Sequence, residues 1–186
     1  MGYARRGLEW TRLPAQSSMR TVPILKVVIA GDGGVGKTSL IRRYCEGKFE
    51  SSRVATIGVD FQTKLVDLPS GSVKLSIWDM AGQERFQVMR AGFYRGSRAA
   101  ALVFDLTHAE SLADLERWQE EILKAAPSQP FVLVGNKLDL PRAVIDSEAV
   151  AVARSVGARY VETSALTGEG VSELFASLAE LAFGGR

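Results

Sequence analysis

A glycine-rich stretch that follows a short apolar run constrains the fold of this chain more than any other feature. Residues 24–30, ILKVVIA, are mostly β-branched and lead directly into glycine, which predicts a buried strand. The next residues read GDGGVGKTS, and LIRRY then continues as a helix. Glycines allow the tight backbone path that joins a strand to a helix in this way. The order strand, glycine loop, helix predicts an α/β domain.

The rest of the chain continues the alternation of strands and helices. Apolar runs at 99–106 and 131–136 predict buried strands, whereas 58–68 and 73–79 alternate around PSGS, which predicts a hairpin at one edge. Helical spacing connects Leu112 with Leu123, a second helix is predicted from a cap at Asp146 to Gly157, and a third over 171–182. We therefore expect an α/β fold with a mainly parallel sheet.

Length and composition indicate one domain. The chain has 186 residues, 46% of them hydrophobic, and a formal net charge of +2. That length supports a single core. Residues 1–22 contain four arginines and one glutamate, which predicts a basic flexible leader ahead of a domain over 23–186. The leader gives only a weak reason to expect contact with an anionic membrane.

Composition also narrows the partners and the compartment. The chain has no basic stripe interleaved with aromatic residues, so we expect no nucleic-acid binding. No apolar run approaches the roughly 20 residues that span a bilayer. Cys45 is the one cysteine and cannot form an internal disulfide, which fits a cytoplasmic location and predicts a buried or half-buried thiol.

The glycine loop matches a phosphate-binding pattern. Gly31, Gly36, Lys37 and Thr38 fill G-x-x-x-x-G-K-[ST] between the predicted strand and helix. In such a loop the backbone N–H groups and the helix N-terminus face an anion, the lysine reaches the β and γ phosphates, and the hydroxyl binds Mg²⁺. The predicted nucleotide-binding residues of this loop are Gly31, Gly33, Gly34, Val35, Gly36, Lys37, Thr38 and Ser39.

Asp79 is the candidate for a further Mg²⁺ ligand. It ends the predicted strand KLSIWD, and the carboxyl ends of parallel strands are where such sheets bind ligands. Its carboxylate would hold the metal through water. The alternative is an aspartate that caps a helix beginning at MAGQERF.

A later tetrad points to guanine. Guanine presents two adjacent donors, N1–H and N2–H₂, and the carboxylate of Asp139 in NKLD would accept both. Adenine has no such edge, which disfavours an ATP-dependent enzyme that shares only the phosphate loop. The stem of Lys137 would lie along the base plane, and the backbone N–H of Ala165 in ETSAL would donate to the guanine O6. The predicted base-binding residues are Asn136, Lys137, Asp139, Ser164, Ala165 and Leu166.

These motifs, together with TIGVDF, KLSIWDMAGQERF and FYRGSRAAALVFDLT, resemble the Ras superfamily of small GTPases, and among them the Rab family, over residues 24–182. The resemblance implies a three-layer P-loop NTPase domain with a six-stranded, mostly parallel sheet, one antiparallel edge strand and flanking helices. It also implies a GTP/GDP switch that hydrolyses GTP, acts as a monomer, and meets effectors, an exchange factor and an activating protein.

The resemblance implies roles for residues outside the two motifs. Thr56 would close over Mg²⁺ and the γ-phosphate, and the N–H of Gly82 would reach the same phosphate. Gln83 would orient the attacking water, and Phe49 would cover the edge of the guanine. Three aromatic residues would meet effectors, with ordinary core packing as the alternative: Phe61, Trp78 and Phe93.

The sequence departs from the Rab pattern at three points. The prenylated cysteines with which Rab proteins usually end are not among these residues, so we expect a Rab-like chain without that tail, and the resemblance alone does not predict membrane trafficking. Met80 replaces the usual threonine, which predicts a tolerated packing change. Leu166 stands where a lysine is common, which bears on nucleotide affinity and not on base identity.

Arg53 departs from the pattern in a way that bears on catalysis. RVATIG places an arginine three residues before Thr56, as in heterotrimeric Gα subunits, whereas Rab proteins commonly have an aromatic residue there. The predicted catalytic set is Lys37, Gln83 and Arg53, the last acting as an arginine finger in cis; the alternative is an exposed loop arginine. A binding scaffold with negligible turnover is the alternative function, and Gln83 and Gly33 favour hydrolysis.

Overall fold

The strands form one six-stranded sheet. The computed structural model describes residues 21–50, 56, 58–83 and 87–184, and within them the strand order is β2-β3-β1-β4-β5-β6. The strands are β1 (Ile24–Ala30), β2 (Val59–Leu68), β3 (Gly71–Met80), β4 (Ala99–Asp105), β5 (Phe131–Asn136) and β6 (Arg159–Thr163).

Among the described strands, all pairs except one are parallel. β1 pairs with β3 and β4, and β4, β5 and β6 continue in the same direction. β2 runs antiparallel to β3 at the edge, with Phe61 opposite Trp78. The predicted fold class is therefore confirmed. Since the parallel strands end on one side, their carboxyl ends form a single edge at which side chains from distant parts of the sequence meet.

Helices cover both faces of the sheet. They are α1 (Lys37–Glu46), α2 (Gln87–Tyr94), α3 (Ala109–Ala113), α4 (Leu115–Ala125), α5 (Asp146–Ser155) and α6 (Val171–Gly184). Two details differ from the sequence prediction. The helical pattern from Leu112 to Leu123 is divided between α3 and α4 at Asp114. The N-cap of α5 is Ile145, whose backbone is extended, so Asp146 is the first helical residue and not the cap.

The core follows the alternation of side chains along the strands. Leu25, Val27 and Ile29 of β1 face the layer formed by α1 and α6, whereas Val28 and Ala30 face the layer formed by α2 to α5. Three layers therefore enclose two apolar clusters, as expected for a parallel sheet. Between α1 and α6 the rings of Tyr44 and Phe175 stack with centroids 4.1 Å apart.

Two predictions from the composition can be compared with the described part of the structure. Cys45 is half-buried, and burial is the main cause that raises the pKa of its thiol. None of the described helices is long and apolar enough to cross a membrane.

Candidate nucleotide-binding site

The described segments that contain predicted site residues meet at the carboxyl edge of the sheet. β1 leads into the phosphate loop, β3 ends beside Asp79, β5 ends at Asn136, and β6 ends at Thr163, directly before 164–166. The two motifs that were predicted to bind phosphate and base therefore lie next to each other, although about a hundred residues separate Val35 from Asn136.

Lys37 lies beneath the phosphate loop. Its side chain is 6% exposed, and Nζ donates hydrogen bonds to the carbonyl oxygens of Gly31 at 2.7 Å and Asp32 at 2.6 Å. Burial lowers the pKa of Lys37 to about 8, although the charges of Asp79 and Asp32 oppose this effect. Because an ammonium has three donors, one N–H remains for a phosphate oxygen. An anion placed there would stabilise the charged lysine.

Two glycines permit close approach between the loops. A Cβ on Gly36, whose φ is 99°, would lie 2.3 Å from Nδ2 of Asn136. A Cβ on Gly82 would lie 2.4 Å from backbone atoms of Asp32 and Gly33. A side chain at Gly36 would push the end of β5 away from the phosphate loop. A side chain at Gly82 would push the segment after β3 away from the same loop. By contrast, a Cβ on Gly33 would meet no described protein atom within 4 Å, so space remains on that side of the loop.

Three oxygen-bearing side chains form a compact cluster beside the phosphate loop. Thr38 Oγ1 donates to Asp79 Oδ2 at 2.5 Å and lies 2.7 Å from Thr56 Oγ1, which is 3.4 Å from the same carboxylate oxygen. Asp79 is 3% exposed, and burial is the main cause that raises its pKa. Its other oxygen, Oδ1, is buried without a hydrogen-bond partner among the described residues.

This cluster fits a hard divalent cation. Mg²⁺ prefers hydroxyl, carboxylate, phosphate and water oxygens, and it usually keeps several waters beside a nucleotide. The buried Oδ1 of Asp79 has acceptor capacity that the described protein atoms leave unused. A metal-bound water would satisfy it. The alternative of a helix-capping Asp79 is not met, because Asp79 lies within β3 and α2 begins at Gln87.

Asn136 connects the phosphate loop with the segments that are predicted to bind the base. Its Nδ2 donates to the carbonyl of Val35 at 2.9 Å, and its Oδ1 accepts a hydrogen bond from Thr163 at 3.1 Å. Nearby, Ser164 donates to Asp139 Oδ1 at 2.5 Å. The Asp139 carboxylate is thus oriented by a neighbour in the ETSAL segment and keeps acceptor capacity for the two donors of a guanine.

Lys137 has a partner that the sequence analysis did not include. It adopts a left-handed backbone with φ 69°, and its Nζ lies 2.5 Å from Asp105 Oδ2. Burial opposes ionisation of Asp105, but hydrogen bonds from Lys137 and Thr107 prevail and keep its pKa below the usual range. Asp105 ends β4 as Asp79 lies at the end of β3, and this strand-end position is the signal that would have found it.

Three of the other predicted residues are at least partly exposed, and a fourth lies outside the described residues. Phe49 is 37% exposed and Leu166 is 48% exposed, and their contact with a base stays a prediction. Gln83 follows Gly82 and is partly exposed. Arg53 lies outside the described residues, so its predicted role stays a prediction.

The aromatic trio forms a continuous row on the β2–β3 hairpin and α2. The ring centroids of Phe61 and Trp78 are 5.5 Å apart, and those of Trp78 and Phe93 are 5.8 Å apart. Phe61 is 59% exposed. Ordinary core packing therefore does not describe Phe61, whereas Trp78 and Phe93 are partly buried and pack against the apolar cluster on the side of α2 to α5.

A buried arginine was missed by the sequence analysis. Arg90 of α2 is 3% exposed and donates through Nε and Nη2 to both carboxylate oxygens of Glu121, at 2.7 and 2.8 Å. Its Nη1 donates to the carbonyls of Ala81 at 3.1 Å and Gln83 at 2.9 Å. The same guanidinium lies 4.2 Å from the ring centroid of Trp118. Arg90 thus fixes the backbone around Gln83 against α4.

The network continues into the phosphate loop. The indole N–H of Trp118 donates to Asp32 Oδ1 at 2.8 Å, and the hydroxyl of Tyr94 donates to Glu121 at 2.8 Å. Burial and the Glu121 carboxylate raise the pKa of Tyr94. No local pattern in the sequence identifies these partners, because they come from two helices, α2 and α4, and from the phosphate loop.

The parallel sheet and the lysine-bearing glycine loop define a P-loop nucleotide-binding domain. The model of the Ras family matches residues 26–183, and the chain therefore belongs to the Ras family. It is a Rab-like small GTPase that binds GTP and GDP and hydrolyses GTP.

Individual relatives agree with this assignment. Ras-related protein Rab-4 of Dictyostelium discoideum is 45% identical over 155 residues, which cover 82% of this chain and 76% of the relative. Ras-related protein RABG3f of Arabidopsis thaliana is 46% identical over 167 residues, covering 84% and 81%. Ypt/Rab-type GTPase ypt7 of Schizosaccharomyces pombe is 44% identical over 168 residues, covering 86% and 82%.

Replacing Glu121 tests the buried network. We expect Glu121→Ala to lower the free energy of unfolding by about 3–5 kcal/mol, because it leaves the charge of Arg90 buried without a carboxylate. Glu120→Ala on the same helix is the matched control, since Glu120 contacts an exposed Lys124 at 3.7 Å and its loss is expected to cost less than about 1 kcal/mol. Urea unfolding measures both. Equal losses in the two variants would contradict the assignment.

Proposed function

We propose that this chain is a nucleotide switch in which Mg²⁺ and the γ-phosphate of GTP hold the segment around Thr56 against the phosphate loop. The observation that carries the proposal is the oxygen cluster, because Thr56 Oγ1 lies 2.7 Å from Thr38 Oγ1 and both hydroxyls face Asp79 Oδ2. Bound Mg²⁺ supplies neutralisation of the phosphate charges. Thr38, Thr56 and Asp79 would hold it, directly or through water. Loss of the γ-phosphate would then release the Thr56 segment.

The residues of the phosphate loop bind and orient the nucleotide. The backbone N–H groups of the loop and the charged Nζ of Lys37 would contact the phosphates. Phosphoryl transfer needs positioning and charge stabilisation more than covalent chemistry. Gln83 would orient the attacking water, and the hydrogen bond from Arg90 to its carbonyl supports that role because it limits the backbone at this position. The N–H of Gly82 would contact the γ-phosphate.

The base is selected as guanine by Asp139. Its carboxylate accepts from Ser164 and would accept both guanine donors through its remaining lone pairs. The N–H of Ala165 would contact O6, and Phe49, Lys137 and Leu166 would cover the base.

The aromatic row is the proposed surface for partner proteins. The row of Phe61, Trp78 and Phe93 would contact effectors in the GTP form, supported by the exposure of Phe61. An exchange factor and an activating protein would act on a monomeric switch in the cytoplasm. Residues 1–22 would form a basic leader, and 23–186 the switch domain.

Asp139→Asn tests the base assignment. We expect GDP affinity to fall by about tenfold or more, because the amide presents donors to the guanine donors, whereas xanthosine diphosphate should bind better than it does to the parent protein. Displacement of fluorescent nucleotides measures both affinities. Leu140→Ala, one residue away and exposed, is the control that should leave the preference unchanged. Unaltered GDP binding by Asp139→Asn would show that the base assignment is wrong.

Gln83→Leu tests the hydrolysis step. We expect the single-turnover rate of GTP hydrolysis to fall by about tenfold or more, because leucine cannot hydrogen-bond the attacking water. GDP affinity should stay within twofold of the parent value. Gln62→Leu on β2 controls for removal of a partly exposed glutamine. A rate for Gln83→Leu within twofold of the parent rate would contradict this role for Gln83.

Arg53→Ala tests the arginine finger. We expect the single-turnover rate of GTP hydrolysis to fall by about tenfold while nucleotide affinity stays unchanged, since arginine fingers act on transition-state charge. Arg95→Ala removes an exposed arginine elsewhere and should leave the rate unchanged. A rate for Arg53→Ala within twofold of the parent would exclude a finger at this position.

A further inference from the structure

One arginine at the end of α1 is bonded to the segment that follows β6. Arg43 donates through Nε to the carbonyl of Ala165 at 2.8 Å and through Nη2 to the carbonyl of Leu166. Its Nη1 donates to the carbonyl of Gly47 at 3.2 Å. A single guanidinium therefore contacts three backbone carbonyls, one in the turn after α1 and two in a loop whose Ala165 lies 122 positions from Arg43.

The carbonyls of Ala165 and Leu166 depend on this side chain. Among the described residues, no backbone N–H donates to either of them, although neighbouring groups of the same loop are bonded. The N–H of Gly168 donates to the carbonyl of Ser164 at 2.8 Å, and the N–H of Ser164 donates to the carbonyl of Glu169 at 3.0 Å. Arg43 thus completes the hydrogen bonding of a loop that is otherwise closed on itself.

Ala165 is held from both sides. The preceding residue, Ser164, donates to Asp139 Oδ1 at 2.5 Å, and Arg43 holds the following peptide through its carbonyl. Ala165 is itself 4% exposed. Since these contacts limit rotation of the adjoining peptides, the direction of the Ala165 N–H is set before a base arrives. Preorganised donors of this kind lower the entropy cost of binding.

The third contact reaches the other side of the proposed base site. Gly47 has a left-handed backbone with φ 70°, and its N–H returns a hydrogen bond to the carbonyl of Arg43 at 3.1 Å. Phe49 follows two residues later. The arginine therefore connects the loop that would contact the guanine O6 with the turn that leads to Phe49.

We propose that Arg43 is a positioning residue for the guanine O6 contact and that it slows nucleotide release. The inference rests on the proposed function, because it assigns O6 to the N–H of Ala165. Arg43 would not contact the nucleotide itself. It acts through the orientation of residues 165 and 166, and it couples that orientation to the turn after α1.

The first experiment measures GDP dissociation from Arg43→Ala, Arg43→Lys and Arg42→Ala with excess competing nucleotide. We expect Arg43→Ala to release GDP at least about fivefold faster, because several charge-assisted hydrogen bonds are lost. Arg43→Lys should be intermediate, since a single ammonium cannot reproduce the arginine fork. Arg42→Ala removes the adjacent arginine, whose contact is an exposed Glu50 at 2.7 Å, and should stay within twofold of the parent.

The second experiment separates positioning from a general loss of structure. Inosine diphosphate keeps O6 but lacks the N2 amine, whereas 6-thioguanosine diphosphate keeps both donors facing Asp139 and replaces O6 with sulfur, a weak acceptor. We expect the effect of Arg43→Ala to persist with inosine diphosphate and to shrink to within about twofold with the thio analogue. Urea unfolding of the nucleotide-free variants accompanies these measurements.

The outcomes distinguish this inference from the function on which it rests. Failure of the parent protein to bind GDP would overturn the proposed function. Binding by the parent with unchanged release from Arg43→Ala would overturn the role of Arg43 alone. An equal acceleration for all three nucleotides would also overturn it, because the arginine would then act on the whole site and not through O6.

Discussion

The geometry of the site depends on the side chain of Asn136, which connects the phosphate loop to the end of β6, where the segment proposed to bind the base begins. Its amide is 1% exposed, donates to the carbonyl of Val35 and accepts from Thr163. Both polar ends are therefore used within the protein, and Gly36 leaves no room for a shift toward the loop. Because β1, β5 and β6 all end at this edge, one buried amide connects the elements that would bind the two ends of a nucleotide.

The buried charges of Lys37 and Asp79 suit ligands of opposite charge. Burial lowers the pKa of Lys37 and raises the pKa of Asp79, so each ionised group is destabilised by its surroundings. Phosphates would stabilise the lysine, and a divalent cation would stabilise the carboxylate. Ligands that bind only the folded chain also shift the folding equilibrium toward it. The same groups that would bind the nucleotide therefore make the fold sensitive to its presence.

Two arginines extend the site into the helices. Arg90 links the backbone at Gln83 to Glu121 on α4, and Arg43 links the loop at Ala165 to the end of α1. Both contact backbone carbonyls, so they restrain the path of a loop without defining its side chains. Movement of the Gln83 segment or of the turn after α1 would require these bonds to break. In this structure the two helices therefore support the segments at Gln83 and Ala165.

The sequence by itself determined the alternation of strands and helices and the phosphate loop, and it predicts that Asp139 selects guanine. These depend on local backbone preferences and on the chemistry of single residue types. Tertiary structure decided the contacts of Arg43, Arg90 and Asp105, the division of one helical pattern at Asp114, and the buried oxygen of Asp79. The sequence around an arginine does not indicate its partner. Arg43 donates to the carbonyl of Ala165, which lies 122 positions away. Such contacts arise only when the parallel strands bring their carboxyl ends together, because burial then requires each polar group to find a partner.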